Sequence, residues 1–182
     1  MSLTINDMNQ LPRDAFVAQF GGIFESSPWV AERIADARPF SSIGVLHDAM
    51  VAAVRAAPAH HQDELIRAHP DLAGKAARAG ELTEASTKEQ AGAGLSSMSD
   101  EQYDQFEELN NAYREKFGLP FIIAVRGYTV DGILNEFRRR LWHDLKAERE
   151  TALQQIARIA RFRLNDLLDE ASPEISQSQG GA

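Results

Sequence analysis

Apolar residues recur every three or four positions along most of this chain, and the rhythm breaks at Pro, Gly and Ser/Thr positions. Pro12 suits a first helical turn and opens a segment carrying Phe16, Val17 and Phe20, which Gly21-Gly22 interrupts. Ser27-Pro28 predicts a second start, with Ser27 as cap and Trp29, Val30 and Ile34 facing inward, running to Arg38 and stopping before Pro39. Ser42 caps a third helix, on which Ile43, Leu46, Met50, Val51 and Val54 keep helical spacing up to Ala57-Pro58. A fourth, over residues 59–68, is anchored by Leu65 and Ile66 and delivers His69, where Pro70 ends it.

A short helical piece follows over residues 71–79, up to Gly80. The next helix carries Ser86, Glu89 and Gln90 and loosens at Gly92 and Gly94. Ser99 and Gln102 have capping-box spacing and open a long helix with Tyr103, Phe106, Leu109, Asn110, Tyr113 and Phe117, which Gly118 and Pro120 stop. Phe121-Ile122-Ile123-Ala124-Val125 is the strongest β-type run. One strand makes no sheet, so it reads as a buried extended segment whose N–H and C=O groups need partners from backbone, water or substrate. Thr129 caps a helix through Ile133, Leu134, Phe137 and Leu141, and a last helix runs from Lys146 to Leu168. The pattern predicts an all-α, single-domain bundle of about seven to nine helices over residues 1–170, with one extended segment at 121–125 and a disordered tail at 171–182.

Composition narrows the function classes. The 182-residue chain is 43% hydrophobic, ordinary for a globular protein, and carries a formal charge of -8. That acidity argues against nucleic acid as a main partner, because phosphate contacts need a basic face. Arg138-Arg139-Arg140 is too short to reverse this and reads as one inward guanidinium among solvated ones. With no cysteine there is no disulfide, thiolate catalysis or Cys-based zinc site. Met1 to Asp7 carries neither a basic region nor an apolar run, and no apolar run approaches membrane-spanning length. These observations predict a cytoplasmic protein with no membrane partner.

Candidate chemistry concentrates between His69 and Gln90, which brings an imidazole, a hydroxyl, a carboxylate and a carboxamide into one short span. Ser86-Thr87-Lys88-Glu89 has capping-box spacing, which alone accounts for Ser86 and Glu89. A histidine before proline also occurs as a partly buried side chain with one satisfied hydrogen bond. His60, His61 and Asp63 resemble metal ligands only superficially, since adjacent helical histidines point in different directions. There is no phosphate loop, no His-Glu-x-x-His and no Gly-x-Ser-x-Gly elbow.

Set in order, the motifs resemble one family. They are Phe20-Gly21-Gly22-Ile23-Phe24-Glu25-Ser26-Ser27-Pro28-Trp29-Val30-Ala31 with Arg38-Pro39-Phe40, then Ala68-His69-Pro70-Asp71-Leu72-Ala73-Gly74, and Ser86-Thr87-Lys88-Glu89-Gln90. Leu109-Asn110-Asn111-Ala112-Tyr113, Lys116 to Val125 and Ile159 to Leu164 complete the set. This ordered set resembles the 2-oxo-4-hydroxy-4-carboxy-5-ureidoimidazoline (OHCU) decarboxylases, the third enzyme of the urate-to-allantoin route.

The resemblance implies an all-helical, cofactor-free, metal-free homodimer acting on a small ureidoimidazoline and releasing CO2 and (S)-allantoin. On the family pattern His69 matches the catalytic histidine and Glu89 its carboxylate partner. Pro70, Ser86, Gln90 and Arg163 match substrate-binding positions, as do Phe121, Ile123 and Val125 in a pocket wall. Glu89 is expected to orient the imidazole or bind ureido N–H groups and to raise the His69 pKa, and Arg163 to bind a carbonyl or carboxylate through its fork. The sequence departs at His143, where the family carries Asn, and at Leu119, where an aromatic is common, and Arg161 stands close enough to Arg163 to be confused with it. Two other readings fit: a helical interaction module that lost the reaction, and a decarboxylase of a related ureido ring whose pocket His143 alters.

Overall fold

The computed structural model describes residues 3–74, 77 and 79–169. Among these, nine α-helices and one 3-10 turn form the bundle that the hydrophobic pattern predicts. In chain order they are α1 (Ile5–Gln10), α2 (Arg13–Phe20), α3 (Trp29–Ile34) with a 3-10 turn (Ala35–Ala37), α4 (Ile43–Arg55), α5 (Ala59–Arg67), α6 (Glu84–Gly92), α7 (Asp100–Phe117), α8 (Val130–Arg140) and α9 (Leu145–Leu167). The disordered tail expected at 171–182 lies outside the described residues. Residues 71–74 form a turn rather than the expected helical start, and residues 75, 76 and 78 of that stretch are also outside.

Several boundaries follow from the caps. The Ser42, Ser99 and Thr129 side chains accept from the backbone N–H three residues on, as their spacing predicts. Gly118 closes α7 in the left-handed region at φ 65°. Ser27 is not a side-chain cap: Pro28 is already helical at φ -61°, ψ -21° and occupies the cap position of α3. The capping box proposed at Ser86-Glu89 is displaced as well. Thr83 caps α6, its hydroxyl accepting from Ser86 N–H at 3.2 Å, which leaves the Ser86 hydroxyl uncommitted to the helix end.

Two elements escape the apolar pattern. A capping box between Thr4 and Asp7 starts α1, which is only six residues long. Leu3–Thr4 (β1) pairs in parallel with Leu168–Asp169 (β2), so α9 ends at Leu167 and the described ends of the chain meet.

The long α9 packs on α4 and α5, α7 packs on α8, and α3 bridges α2 and α4. Phe16, Phe20, Leu46, Met50, Ile156, Ala160 and Leu164 fill one side of the core. On the other, Phe121 stacks on Phe137 with centroids 3.7 Å apart, and Tyr113 meets both rings edge-on. These contacts seat the extended segment 121–125 between α7, α8 and α9. No helix among the described residues is long and apolar enough to cross a membrane.

Candidate active site

A cavity of about 670 Å³ opens between α6, the end of α9, the extended segment and the turn after α5. Every residue matched to a catalytic or substrate-binding position in the sequence lines it: His69, Pro70, Ser86, Glu89, Gln90, Phe121, Ile123, Val125 and Arg163. One wall is apolar, built from the extended segment with Ile23, Ile159 and Phe162. The opposite side, from α6 and Arg163, is polar.

His69 sits at the C-terminal end of α5. Its own N–H bonds Ile66 O at 3.2 Å, so the Leu65 carbonyl lacks its helical partner, and the imidazole Nδ1 donates to it at 2.9 Å. A carbonyl only accepts, so Nδ1 carries the proton. The lone pair of the neutral ring is therefore on Nε2. Burial pushes the His69 pKa down to about 4, outweighing the Leu65 bond and the negative charge of Glu25. The resting ring is thus neutral, contrary to the elevated pKa expected.

The carboxylate acting on that ring is Glu25, not Glu89. Glu89 lies on Arg163, accepting from Nε at 2.7 Å and Nη2 at 2.9 Å. Arg163 Nη2 also lies 3.0 Å from Glu25 Oε2. Glu25, in the turn after α2, is 3% exposed and accepts from Thr83 Oγ1 at 2.8 Å and Ser86 Oγ at 3.1 Å. Burial works against its charge, but Arg163 and Thr83 hold it below the usual carboxylate range. Sequence reasoning missed a role for Glu25. It lies within the matching run Phe20 to Ala31, yet a glutamate among turn residues reads as solvated, and only its burial marks it.

Gln90 is held by its oxygen, which accepts from Ala73 N–H at 3.0 Å and leaves its N–H donors for a ligand. Ala73 occupies the left-handed region at φ 51°. Asn110 donates to Leu72 O at 2.9 Å and Arg114 binds Asp71 with Nε 3.0 and 3.1 Å from its two oxygens, so the turn beyond Pro70 is clamped from α6 and α7.

The extended segment is tied by side chains rather than by a sheet. Arg140 Nη1 donates to Ile122 O at 2.6 Å, and Ala124 N–H donates to Gln155 Oε1 at 3.0 Å. Arg140 is the inward guanidinium expected of the Arg138-Arg139-Arg140 run. It is buried against Glu148, which also accepts from the Tyr113 hydroxyl and from His143 Nδ1 at 2.9 Å. His143 therefore belongs to this outer network and does not line the cavity, nor does Leu119. Arg161 is outside too, with Nε on Asn165 Oδ1 at 3.2 Å. Asp63 is engaged by Arg149 at 2.7 Å, and among the described residues no acidic or histidine cluster is arranged to hold a metal ion.

Comparison with known proteins identifies the family. A model of the OHCU decarboxylase family matches residues 9–165. The 2-oxo-4-hydroxy-4-carboxy-5-ureidoimidazoline decarboxylase of Haloferax volcanii is 46% identical over 162 residues, covering 89% of this chain and 94% of that protein. The corresponding protein of Mus musculus is 37% identical over 161 residues, 88% of this chain and 90% of its own. A crystal structure of (S)-allantoin synthase superposes with a TM-score of 0.75 and 32% identity over 92% of this chain, which spans 54% of that longer chain. The chain belongs to the OHCU decarboxylase family.

Proposed function

We infer that this enzyme decarboxylates OHCU to (S)-allantoin and CO2 in urate degradation, with His69 moving the proton. The observation that carries the reading is the neutral, Nδ1-locked imidazole facing a cavity with one polar and one apolar side.

The substrate bears its carboxylate and a hydroxyl on one ring carbon, next to a C=N bond. When the carbon–carboxylate bond breaks, its electron pair forms a C=C bond and the imine nitrogen accepts charge and a solvent proton. The electron sink lies within the substrate, which supports a reaction independent of cofactor. What remains is an enol. Nε2 of His69 takes the hydroxyl proton and delivers it to the neighbouring carbon, so the ring serves as base and then as acid. Delivery from one fixed ring makes the product one-handed.

The polar side holds the ring for this transfer. Gln90 presents donors and therefore reads a carbonyl. Glu89 is the exchangeable partner of Arg163: ureido N–H groups take its carboxylate while the guanidinium edge it releases takes a ring carbonyl. Ser86 and Pro70 border His69, and the backbone of Phe121, Ile123 and Val125 supplies the far wall. The departing carboxylate faces apolar side chains, where its charge is least favoured.

In this reading residues 1–170 form the decarboxylase domain. A homodimeric state is the one that the family resemblance supports.

The test is a circular dichroism time course in which urate is converted in place by oxidase and hydroxyisourate hydrolase. Fast appearance of one-handed allantoin that requires both this protein and His69 is expected. Racemic product at the spontaneous rate, or full turnover by His69→Ala, overturns the reading.

A further inference from the structure

Arg163 has two carboxylate partners of different character. Glu89 stands in the cavity wall with its side chain 23% exposed, whereas Glu25 is 3% exposed and lies behind the polar side. Glu25 has every oxygen engaged inside the protein: Oε1 by Thr83, Oε2 by Ser86 and Arg163. A substrate that draws Glu89 away leaves Arg163 with Glu25 alone. A buried guanidinium without that anion loses both its charge balance and its direction.

We propose that Glu25 is a positioning residue for the decarboxylation, a permanent anion that holds Arg163 and Ser86 in place while Glu89 exchanges onto the substrate. The assignment rests on the reading of His69 as the proton carrier. Glu25 touches neither the cavity nor the reacting atoms and acts through its neighbours.

The charge count gives it a second effect. The charges acting on His69 are Glu25 from the turn after α2 and Arg163 from α9, and Glu89 from α6 is paired to that same Arg163. At the rim Lys88 pairs with Glu84 and Arg126 with Asp166, so those pairs add no net charge. With a neutral imidazole the inner set carries one excess negative charge. A proton on Nε2 cancels it, so Glu25 favours the imidazolium that exists between proton uptake and delivery.

The experiment compares the native enzyme with Glu25→Gln, which keeps shape and removes charge. Steady-state rates and a ¹³C-histidine NMR titration of the His69 ring are read together, with thermal melts as a check on folding. Glu25→Gln is expected to lower kcat by about tenfold or more, to change KM by less than about threefold, and to move the His69 titration to lower pH. A purely structural loss reduces the active fraction and leaves that titration where it was. If Glu25→Gln does not fold, Glu25→Asp decides, since it retains the charge but withdraws it from Ser86 and Arg163. A several-fold loss of kcat per active site, with the melt and KM near native and the titration unmoved, is then expected, whereas a purely structural loss lowers the melt and the active fraction and leaves kcat per active site native. Native kcat in whichever variant folds, or an unmoved titration in a folded Glu25→Gln, overturns the proposal. A native enzyme that makes no one-handed allantoin instead overturns the functional reading beneath it.

Discussion

Glu89 grips Arg163 through both carboxylate oxygens, at 2.7 and 2.9 Å, and so joins α6 to α9 across the mouth of the cavity. The same guanidinium edge is the one a planar substrate carbonyl fits best. In the proposed reaction binding is then an exchange of partners rather than the filling of an open fork.

Arg163→Lys keeps the charge but loses the two-pronged geometry on which the exchange depends. KM is expected to rise about tenfold, the scale of one charge-assisted hydrogen bond. Arg161→Lys should leave KM unchanged, because Arg161 bonds Asn165 outside the cavity. Steady-state kinetics of the two variants side by side check this; a KM that responds only to Arg161→Lys reverses the assignment.

Gln90→Glu separates two ways of reading the ring. A carboxylate still accepts from Ala73 N–H, so the turn beyond Pro70 stays held. It has no N–H to give a substrate carbonyl. We expect KM to rise about tenfold or more with melting within a few degrees of native. Unchanged KM would mean that Gln90 meets an N–H through its oxygen.

The buried imidazole also sets a pH dependence. His69 titrates near 6.5 in an unfolded chain and near 4 when folded. As pH falls through 6.5 the unfolded chain binds a proton that the native state refuses, so stability declines between about 6.5 and 4, by roughly 3 kcal/mol in all. Glu25, held low by its partners, contributes stability that is lost in the same direction as pH falls through its folded pKa. Urea unfolding at pH 7 and pH 4 should show a smaller difference for His69→Gln than for the native protein. Parallel curves would contradict the neutral buried ring. For the same reason activity should persist well below pH 6.5, its acid limb lying under that of an ordinary histidine.

Glu148 is wholly buried and binds Arg140, the Tyr113 hydroxyl and His143. Burial and this carboxylate push the Tyr113 pKa up, so the phenol remains a donor. Glu148→Leu strands the Arg140 charge and should cost about 3–5 kcal/mol, lowering Tm by roughly 10 °C at this chain length. Because Arg140 also holds Ile122 O in the cavity wall, KM should rise together with the loss of stability. Calorimetry and kinetics on Glu148→Leu and on Glu148→Leu/Arg140→Met test both: the double variant should regain stability but not KM.

Most helices were legible because apolar spacing and capping residues act locally. Ser42, Ser99 and Thr129 cap as their neighbours predict, and the extended nature of 121–125 follows from its β-branched run. Three features were not legible, and each depends on distant chain. Thr83 outcompetes Ser86 as cap because Ser86 is drawn to Glu25, 61 residues away in sequence. The two-residue strands exist only because the described ends meet. Glu89 was expected on His69 because both lie in one motif, yet its partner is 74 residues away on α9. Local pattern names the groups of a site, whereas long-range charge pairing decides which of them face each other.

The lock on His69 has a consequence for how this chain can vary. The Leu65 carbonyl that holds Nδ1–H is available only because α5 ends where it does. The lock spans a single turn, so adding or deleting one residue in α5 keeps a carbonyl under the ring but turns that helix end by about 100° and swings the ring away from the cavity. The imidazole would keep its tautomer but no longer present Nε2 to the cavity. The length of α5 is therefore constrained as tightly as the identity of His69, and insertions tolerated in other connections should be absent between Pro58 and Pro70.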